Sequence, residues 1–441
     1  MAIALAPVPP IGGHPLLLFL LQVGLLLAVA LLLGRLAVRC GLPAIVGELL
    51  TGVLLGPSLL GHLAPAWWAW LFPPDPAQFH LLDAFGQFGV LLLVGVTGLH
   101  LDFGLVRRRG ATAARVSLPG FAVPLALGIA AGFAVPASLL AGRGDRPVFA
   151  LFLGIAMCVS AIPVIAKTLL DLKLLHRDVG QLILVAGTVD DVLGWIGLSA
   201  VTAMATTGLR AGGVLRSVAF LVLFLVVAAL VARPLVRRAL RASTRSEGGT
   251  TVAVAVVVVV LCGVVTHALG LEAVFGALVG GVLVRAAGPD VLARLAPLRT
   301  LVTAVLAPVF FATAGLRVDL TALADPVVAV TALALLAIAV VGKFTGAWLG
   351  AWTSGLNRWE ALALGAGLNA RGVVEVVVAM VGLRLGVLST ATYTVVVLIA
   401  VVTSVMAPPI LRFATARIEV AAEEEVRRAE FEPAAPAVGK G

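Results

Sequence analysis

The chain has 441 residues, of which 61% are hydrophobic and only 12% charged, where a soluble globular domain carries roughly 25% charged residues. This excludes a soluble fold and predicts an all-α polytopic membrane protein, almost entirely embedded. The formal net charge of +9 sits on arginines spread through short loops, so it reports orientation in a bilayer and no nucleic-acid partner.

Cys40, Cys158 and Cys262 lie far apart, in or beside apolar segments, and form no metal spacing or disulfide framework. They read as small packing residues. Residues 1–13 contain no Lys or Arg. A cleaved signal peptide wants a basic start, so the first apolar run is expected to be a retained helix whose N-terminus lies outside.

Apolar segments then follow at 15–38, 43–61, 81–103, 112–141, 147–171, 178–207, 212–240, 249–268, 271–285, 299–317, 324–354, 359–385 and 390–414. Each is read as a crossing, giving about thirteen transmembrane helices. The loops support that count. Arg35 and Arg39, Arg107 to Arg109 with Arg115, Lys173 and Arg177, the arginines from Arg233 to Arg245, then Arg285, Arg294, Arg299 and Arg358 all fall on one side. The other side holds Arg143, Arg146, Arg210, Arg216 and Arg317. The positive-inside rule makes the richer side cytoplasmic. Residues 415–441 are expected to be a short cytoplasmic tail, a brief amphipathic helix with a disordered end and no soluble domain after it.

The chain repeats itself. Leu42-Pro-Ala-Ile-Val-Gly47-Glu48-Leu-Leu-Thr-Gly52-Val-Leu matches Leu271-Glu-Ala-Val-Phe-Gly276-Ala-Leu-Val-Gly-Gly281-Val-Leu. Gly98-Leu99-His100-Leu101-Asp102 matches Gly315-Leu316-Arg317-Val318-Asp319. The matches join segments two to nine and three to ten. A shift of seven helices is odd, so the two halves are inverted, which is a transporter device. The repeat pairs segment five with segment twelve. Segment five is broken near Ser160-Ala161-Ile162-Pro163, since proline removes a helix hydrogen bond. Segment twelve is broken near Leu368-Asn369-Ala370-Arg371-Gly372. Interrupted segments at matching positions in two halves point to the binding site.

The polar residues inside the apolar segments are few. Thr188-Val189-Asp190-Asp191 places two carboxylates mid-way along segment six. A charge at mid-membrane costs from about 2.5 to well over 10 kcal/mol, so these acids must face water, a cation, a proton or a fixed positive partner. Successive helical residues point about 100° apart, so the two acids cannot act alike. Lys343, mid-way along segment eleven, needs a carboxylate, and Asp190 is its natural partner. Arg371 and Glu375 share one face of segment twelve at a spacing that permits an ion pair; a structural pair and direct ion handling both fit. Asn369 offers an amide oxygen to a cation or a cap to a half-helix. Glu48 lines a cavity or stabilises packing. Lys167 and Asp171 read as a solvated pair, and His14, His80, His100, His176 and His267 fall near helix ends.

Gly47-Glu48-Leu-Leu-Thr-Gly52-Val-Leu-Leu-Gly56-Pro57-Ser58, Ser160-Ala-Ile-Pro163-Val-Ile-Ala-Lys167, Val189-Asp190-Asp191, Gly342-Lys343 and Leu368-Asn369-Ala370-Arg371-Gly372-Val-Val-Glu375 resemble the monovalent cation:proton antiporters of the second, Kef/NapA/CHX-like branch. The resemblance covers nearly all of the membrane part. It implies an inverted-repeat, NhaA/NapA-like fold over residues 1–414 with two crossed broken helices. Core helices would span about 112–207 and 324–414, and dimerisation or scaffold helices about 15–103 and 212–317. It implies a homodimer in the cell membrane and no cofactor. Asp191 would bind the monovalent cation and protons in turn, and Asp190 would pair with Lys343 and release it. Ser160, Pro163, Thr188, Asn369, Arg371, Glu375 and Glu48 would line or brace the site. A double-aspartate site implies two protons per cation. Arg371 departs from that pattern, because in related electroneutral exchangers an arginine at such a position has a structural pairing role. The regulatory domain of Kef systems and plant relatives is not expected here.

The function read from the sequence is therefore secondary exchange of Na+ or K+ for protons by alternating access, not enzymatic catalysis. A carboxylate in a narrow, partly dehydrated cavity holds a proton or a cation but not both, which makes exchange obligatory if only a neutralised site crosses. An inverted-repeat transporter of an organic solute and a Kef-like K+ efflux system are the alternatives. A passive channel fits less well. An intramembrane aspartyl protease would need its acids on different helices and a Gly-x-Gly-Asp string, which the sequence lacks.

Overall fold

Backbone that crosses hydrocarbon must satisfy its own hydrogen bonds, so long apolar segments fold as helices. The computed structural model describes residues 10–73, 75–100, 110–141, 145–174, 176–207, 211–244, 248–420 and 424. Among these, ten helices are long and apolar enough to cross a membrane. A further pair, Arg358–Leu368 and Val373–Arg384, is bent by 45° at a short break. Two shorter apolar helices, Arg146–Cys158 and Ala273–Arg285, stand beside them. The protein is thus an all-helical, multi-pass membrane protein. Large apolar side chains such as Leu32, Trp67, Leu230 and Leu333 are exposed, a surface suited to lipid and not to water.

Several helix ends differ from the sequence reading for local reasons. The helix Ala44–Leu55 stops at Gly56-Pro57 instead of running on. The segment from residue 211 continues to Ser243 through a π-helical stretch, Ala228–Ala232. In the segment around residue 160, the helix Arg146–Cys158 ends, residues 159–161 are non-helical, and a new helix Ile162–Asp171 begins. Proline sits at the second position of that new helix, where its missing N–H costs nothing. Leu101 and Asp102 of the second repeat match, Arg107 to Arg109, Arg143, Arg210, Arg245 and nearly all of the tail lie outside the described residues. So do the side chains of His100, Pro163, Lys167 and Asp171.

The residue correspondence seen in the sequence reappears in packing. Gly52 faces the helix Ala307–Gly315, where a Cβ on Gly52 would fall 2.0 Å from the Ala312 carbonyl oxygen. Its match, Gly281, faces the helix Pro76–His100, where a Cβ would fall 1.9 Å from the Gly95 carbonyl oxygen. Each glycine of one half therefore meets a helix of the other half. Small residues let membrane helices approach closely where no hydrophobic force drives them together.

The same device locks the helix that carries Lys343. Along Pro326–Thr353, Gly342, Gly346 and Gly350 press against Pro124, Pro119 and Val116 of the helix Gly110–Ala134. A Cβ on Gly346 would fall 2.4 Å from the Pro119 carbonyl oxygen. Gly346→Ala is expected to destabilise the protein by about 1–3 kcal/mol through overpacking, read as a lower melting temperature in detergent. An unchanged melting temperature would mean that the two helices are free to separate there.

Candidate functional site

Five helical segments converge on the aspartate pair, and each brings one kind of group. The helix Asp178–Thr207 carries Asp190 and Asp191, both fully buried. The Lys343 ammonium lies 2.6 Å from Asp190 Oδ2, and it too is fully buried. The Ser160 hydroxyl, in the first helix break, lies 3.0 Å from the same oxygen and 2.7 Å from the Leu368 carbonyl oxygen of the second break. One residue thereby ties the acid to both breaks.

Lys343 has two further acceptors, and each is a carbonyl that its own helix leaves free. Nζ donates to the Cys158 carbonyl at 2.6 Å, at the C-terminus of Arg146–Cys158, where the last carbonyls lack intrahelical partners. It also donates to the Gly120 carbonyl at 3.2 Å. Gly120 precedes Pro124 by four residues, and proline cannot return that hydrogen bond. The three acceptors match the three protons of an ammonium.

Arg371 finishes the same helix end from the other side. Nη1 donates to the Ala156 carbonyl at 2.8 Å and Nη2 to that of Met157 at 2.5 Å. Nη1 also lies 3.2 Å from Glu375 Oε1, as the sequence spacing permits. A helix C-terminus carries partial negative charge, so two cations there are well placed. The two breaks are joined by Ala161 N–H donating to the Ala370 carbonyl at 3.1 Å, and the Ser404 hydroxyl donates to the Arg371 carbonyl of the second break. Arg371 and Lys343 thus have separate carboxylate partners.

Asp191 is the contrast. Neither of its oxygens completes a hydrogen bond among the described residues. Its polar neighbour is the backbone N–H of Ile162, at the N-terminus of the second half-helix. The amide of Asn369, which caps the helix Arg358–Leu368, likewise has neither atom hydrogen-bonded. A carboxylate and an amide with unused oxygens are groups of the kind that can accept a proton or a hard monovalent cation. No group of three or more His, Cys, Asp or Glu suited to a resident metal occurs among the described residues.

Other residues singled out by the sequence lie elsewhere. Thr188 donates to its own helix, at the Leu184 carbonyl 2.8 Å away, and not to the acids. Glu48 lines a cavity of about 450 Å³ with Thr168, Thr303 and Arg412. Ile45, Val164 and Val373 also line that cavity, and neither aspartate does. Sequence reasoning missed the Gly120 and Cys158 carbonyls, although Pro124 signals a free carbonyl at Gly120. It also missed Trp195 and Ser199, one and two turns beyond Asp191. Trp195 Nε1 and Ser199 Oγ are buried without a hydrogen-bond partner among the described residues.

The chain is similar to known proteins over most of its length. The chain is 30% identical over 403 residues to the Na(+)/H(+) antiporter NhaS4 of Synechocystis sp., covering 90% of this chain and 97% of that protein. It is 30% identical over 398 residues to Cation/H(+) antiporter 18 of Arabidopsis thaliana, covering 89% of this chain but only 48% of that longer protein. Its fold resembles that of the sodium proton antiporter MjNhaP1 of Methanocaldococcus jannaschii, with a TM-score of 0.69 at 16% identity, over 91% of this chain and 99% of the other. These are transporters and not enzymes. With residues 25–417 matching the family described as sodium/hydrogen exchanger, transmembrane, the chain belongs to the sodium/hydrogen exchanger family.

Proposed function

We propose that this protein exchanges a monovalent cation, Na+ or K+, for protons, and that Asp191 is the carboxylate at which they compete. The observation that carries the reading is the inequality of the two acids. Asp190 is held by Lys343 and Ser160, whereas neither oxygen of its neighbour Asp191 has a side-chain partner among the described residues. A proton or a partly dehydrated cation at Asp191 neutralises the site, and the neutral site crosses more cheaply than a bare charge. Asp190 and Lys343 form the switchable pair that opens as protons come and go. Asn369 offers its amide oxygen to the cation. Arg371, Glu375 and Ser160 hold the two breaks in register. Thr188 and Pro163 shape the neighbouring backbone, and Glu48 collects cations in the cavity that leads inward.

The architecture proposed with this function has thirteen crossings. The short helices Arg146–Cys158 and Ala273–Arg285 each complete a span, and the two broken segments cross as half-helices. The core comprises about 112–207 and 324–414, and the scaffold about 15–103 and 212–317. Arginine bias in the loops supports an outside N-terminus and a cytoplasmic C-terminus in a cell membrane. A homodimer through the scaffold is proposed from the family resemblance, and mass measurement in detergent tests it.

Purified protein in vesicles with a trapped pH dye tests the exchange. After a pH gradient is imposed, Na+ or K+ is expected to collapse it, and the effective ion is the substrate. The separate pairing of Lys343 with Asp190 favours two protons per cation, so the rate is expected to follow a clamped membrane voltage. A voltage-independent rate would favour a one-for-one exchanger. Indifference to both ions would move the reading to an organic solute.

A further inference from the structure

A second cavity lies against the helix that carries the aspartates. It measures about 570 Å³, well within the range that holds a bound organic molecule. Its walls include Val192, Ile196, Phe275, Leu278, Val279 and Val282, and its charged groups are Arg233 and Arg285. Among the described residues, no acidic one lines it. The cavity beside Glu48 has a carboxylate and one guanidinium, that of Arg412; this one has two guanidinium groups in a hydrocarbon wall.

Both arginines belong to the ends of segments that the loop bias assigns to the cytoplasmic side. Arg233 is exposed and opens the helix Arg233–Ser243, which also carries Arg237, Arg238 and Arg241. Arg285 donates to the Leu99 carbonyl at 2.7 Å, which holds it in the cavity lining. The π-helical stretch Ala228–Ala232 runs along the same wall, and its small Ala228 and Ala229 leave the space open. Basic pockets between membrane helices on the cytoplasmic side suit anionic head groups.

We propose that this cavity binds an anionic phospholipid, with an acyl chain along Val192, Ile196 and Val279 and the phosphate at Arg233. Val192 directly follows Asp191 in the chain. A lipid chain wedged there braces the aspartate helix against Ala273–Arg285, so the anionic lipid content of the membrane sets how readily the two part. The binding claim stands apart from the antiport reading; only its effect on rate rests on that reading.

The test is native mass spectrometry of purified protein given equal phosphatidylglycerol and phosphatidylcholine. Selective retention of phosphatidylglycerol is expected. Arg233→Glu is expected to lower that retention roughly fivefold or more, since one basic residue near a lipid head group is worth about 1 kcal/mol. Ala229→Phe, which leaves the arginines in place and narrows the cavity, is expected to lower it too. Equal retention of both lipids, or retention unchanged in both variants, would overturn the proposal. So would displacement by inorganic phosphate alone. Labelling of Val279→Cys by a charged, membrane-impermeant thiol reagent would also overturn it, because it would show water where the acyl chain belongs. If phosphatidylglycerol is retained yet no cation is exchanged in any vesicle, the antiport reading fails and the lipid site stands.

Discussion

Asp191→Asn is expected to abolish cation-driven proton movement in vesicles while leaving the protein folded. The amide has the shape of the carboxylate but carries no charge to trade between proton and cation. Folding is spared because no side chain among the described residues bonds Asp191, and the amide keeps an oxygen that can face the Ile162 N–H. A buried carboxylate without partners is itself a cost, so the melting temperature is expected to hold or to rise. Exchange at a rate near that of the unmodified protein would remove Asp191 from the mechanism and shift attention to Asp190. Loss of both exchange and folding would show that Asp191 has a structural partner in the membrane.

Lys343→Ala should have the opposite profile, with a large loss of stability. It removes the positive partner of Asp190 and the donor to the Cys158 and Gly120 carbonyls together. Breaking a buried pair by deleting one member costs about 3–5 kcal/mol, because it strands the other charge. Thermal melting in detergent measures this. Asp190→Asn placed on top of Lys343→Ala should then cost little more, or restore part of the loss. The cycle of the two single variants and the double isolates their coupling. Strictly additive effects would show that the contact at 2.6 Å contributes nothing of its own.

The pairing of Lys343 with Asp190 was legible in the sequence, because an ammonium flanked by long apolar runs has few carboxylates to choose from. Both helix breaks were legible too, one from a proline and one from a polar Gly-rich string. The use made of Arg371 was not. The spacing to Glu375 is local and visible, but the Ala156 and Met157 carbonyls lie more than two hundred residues earlier. Backbone acceptors leave no trace in side-chain composition. Thr188 sits beside the acids in the sequence, and its hydroxyl donates to the Leu184 carbonyl of its own helix, a local bond that composition does not reveal. Hydropathy marks the apolar runs at 147–171 and 271–285 but does not show that the helices there, Arg146–Cys158 and Ala273–Arg285, are short.

The reciprocal glycine contacts carry a consequence for how such a chain is assembled. Gly52 of the first half rests on the helix ending at Gly315, and Gly281 of the second rests on the helix that holds Gly95. Neither half completes its own frame, since each supplies a surface that the other lacks. The halves behave as two hands clasped and not as two beads on a string. A cut in the linking stretch near residue 246 should therefore be tolerated when both fragments are made together. Either fragment made alone should be degraded for want of its counterpart.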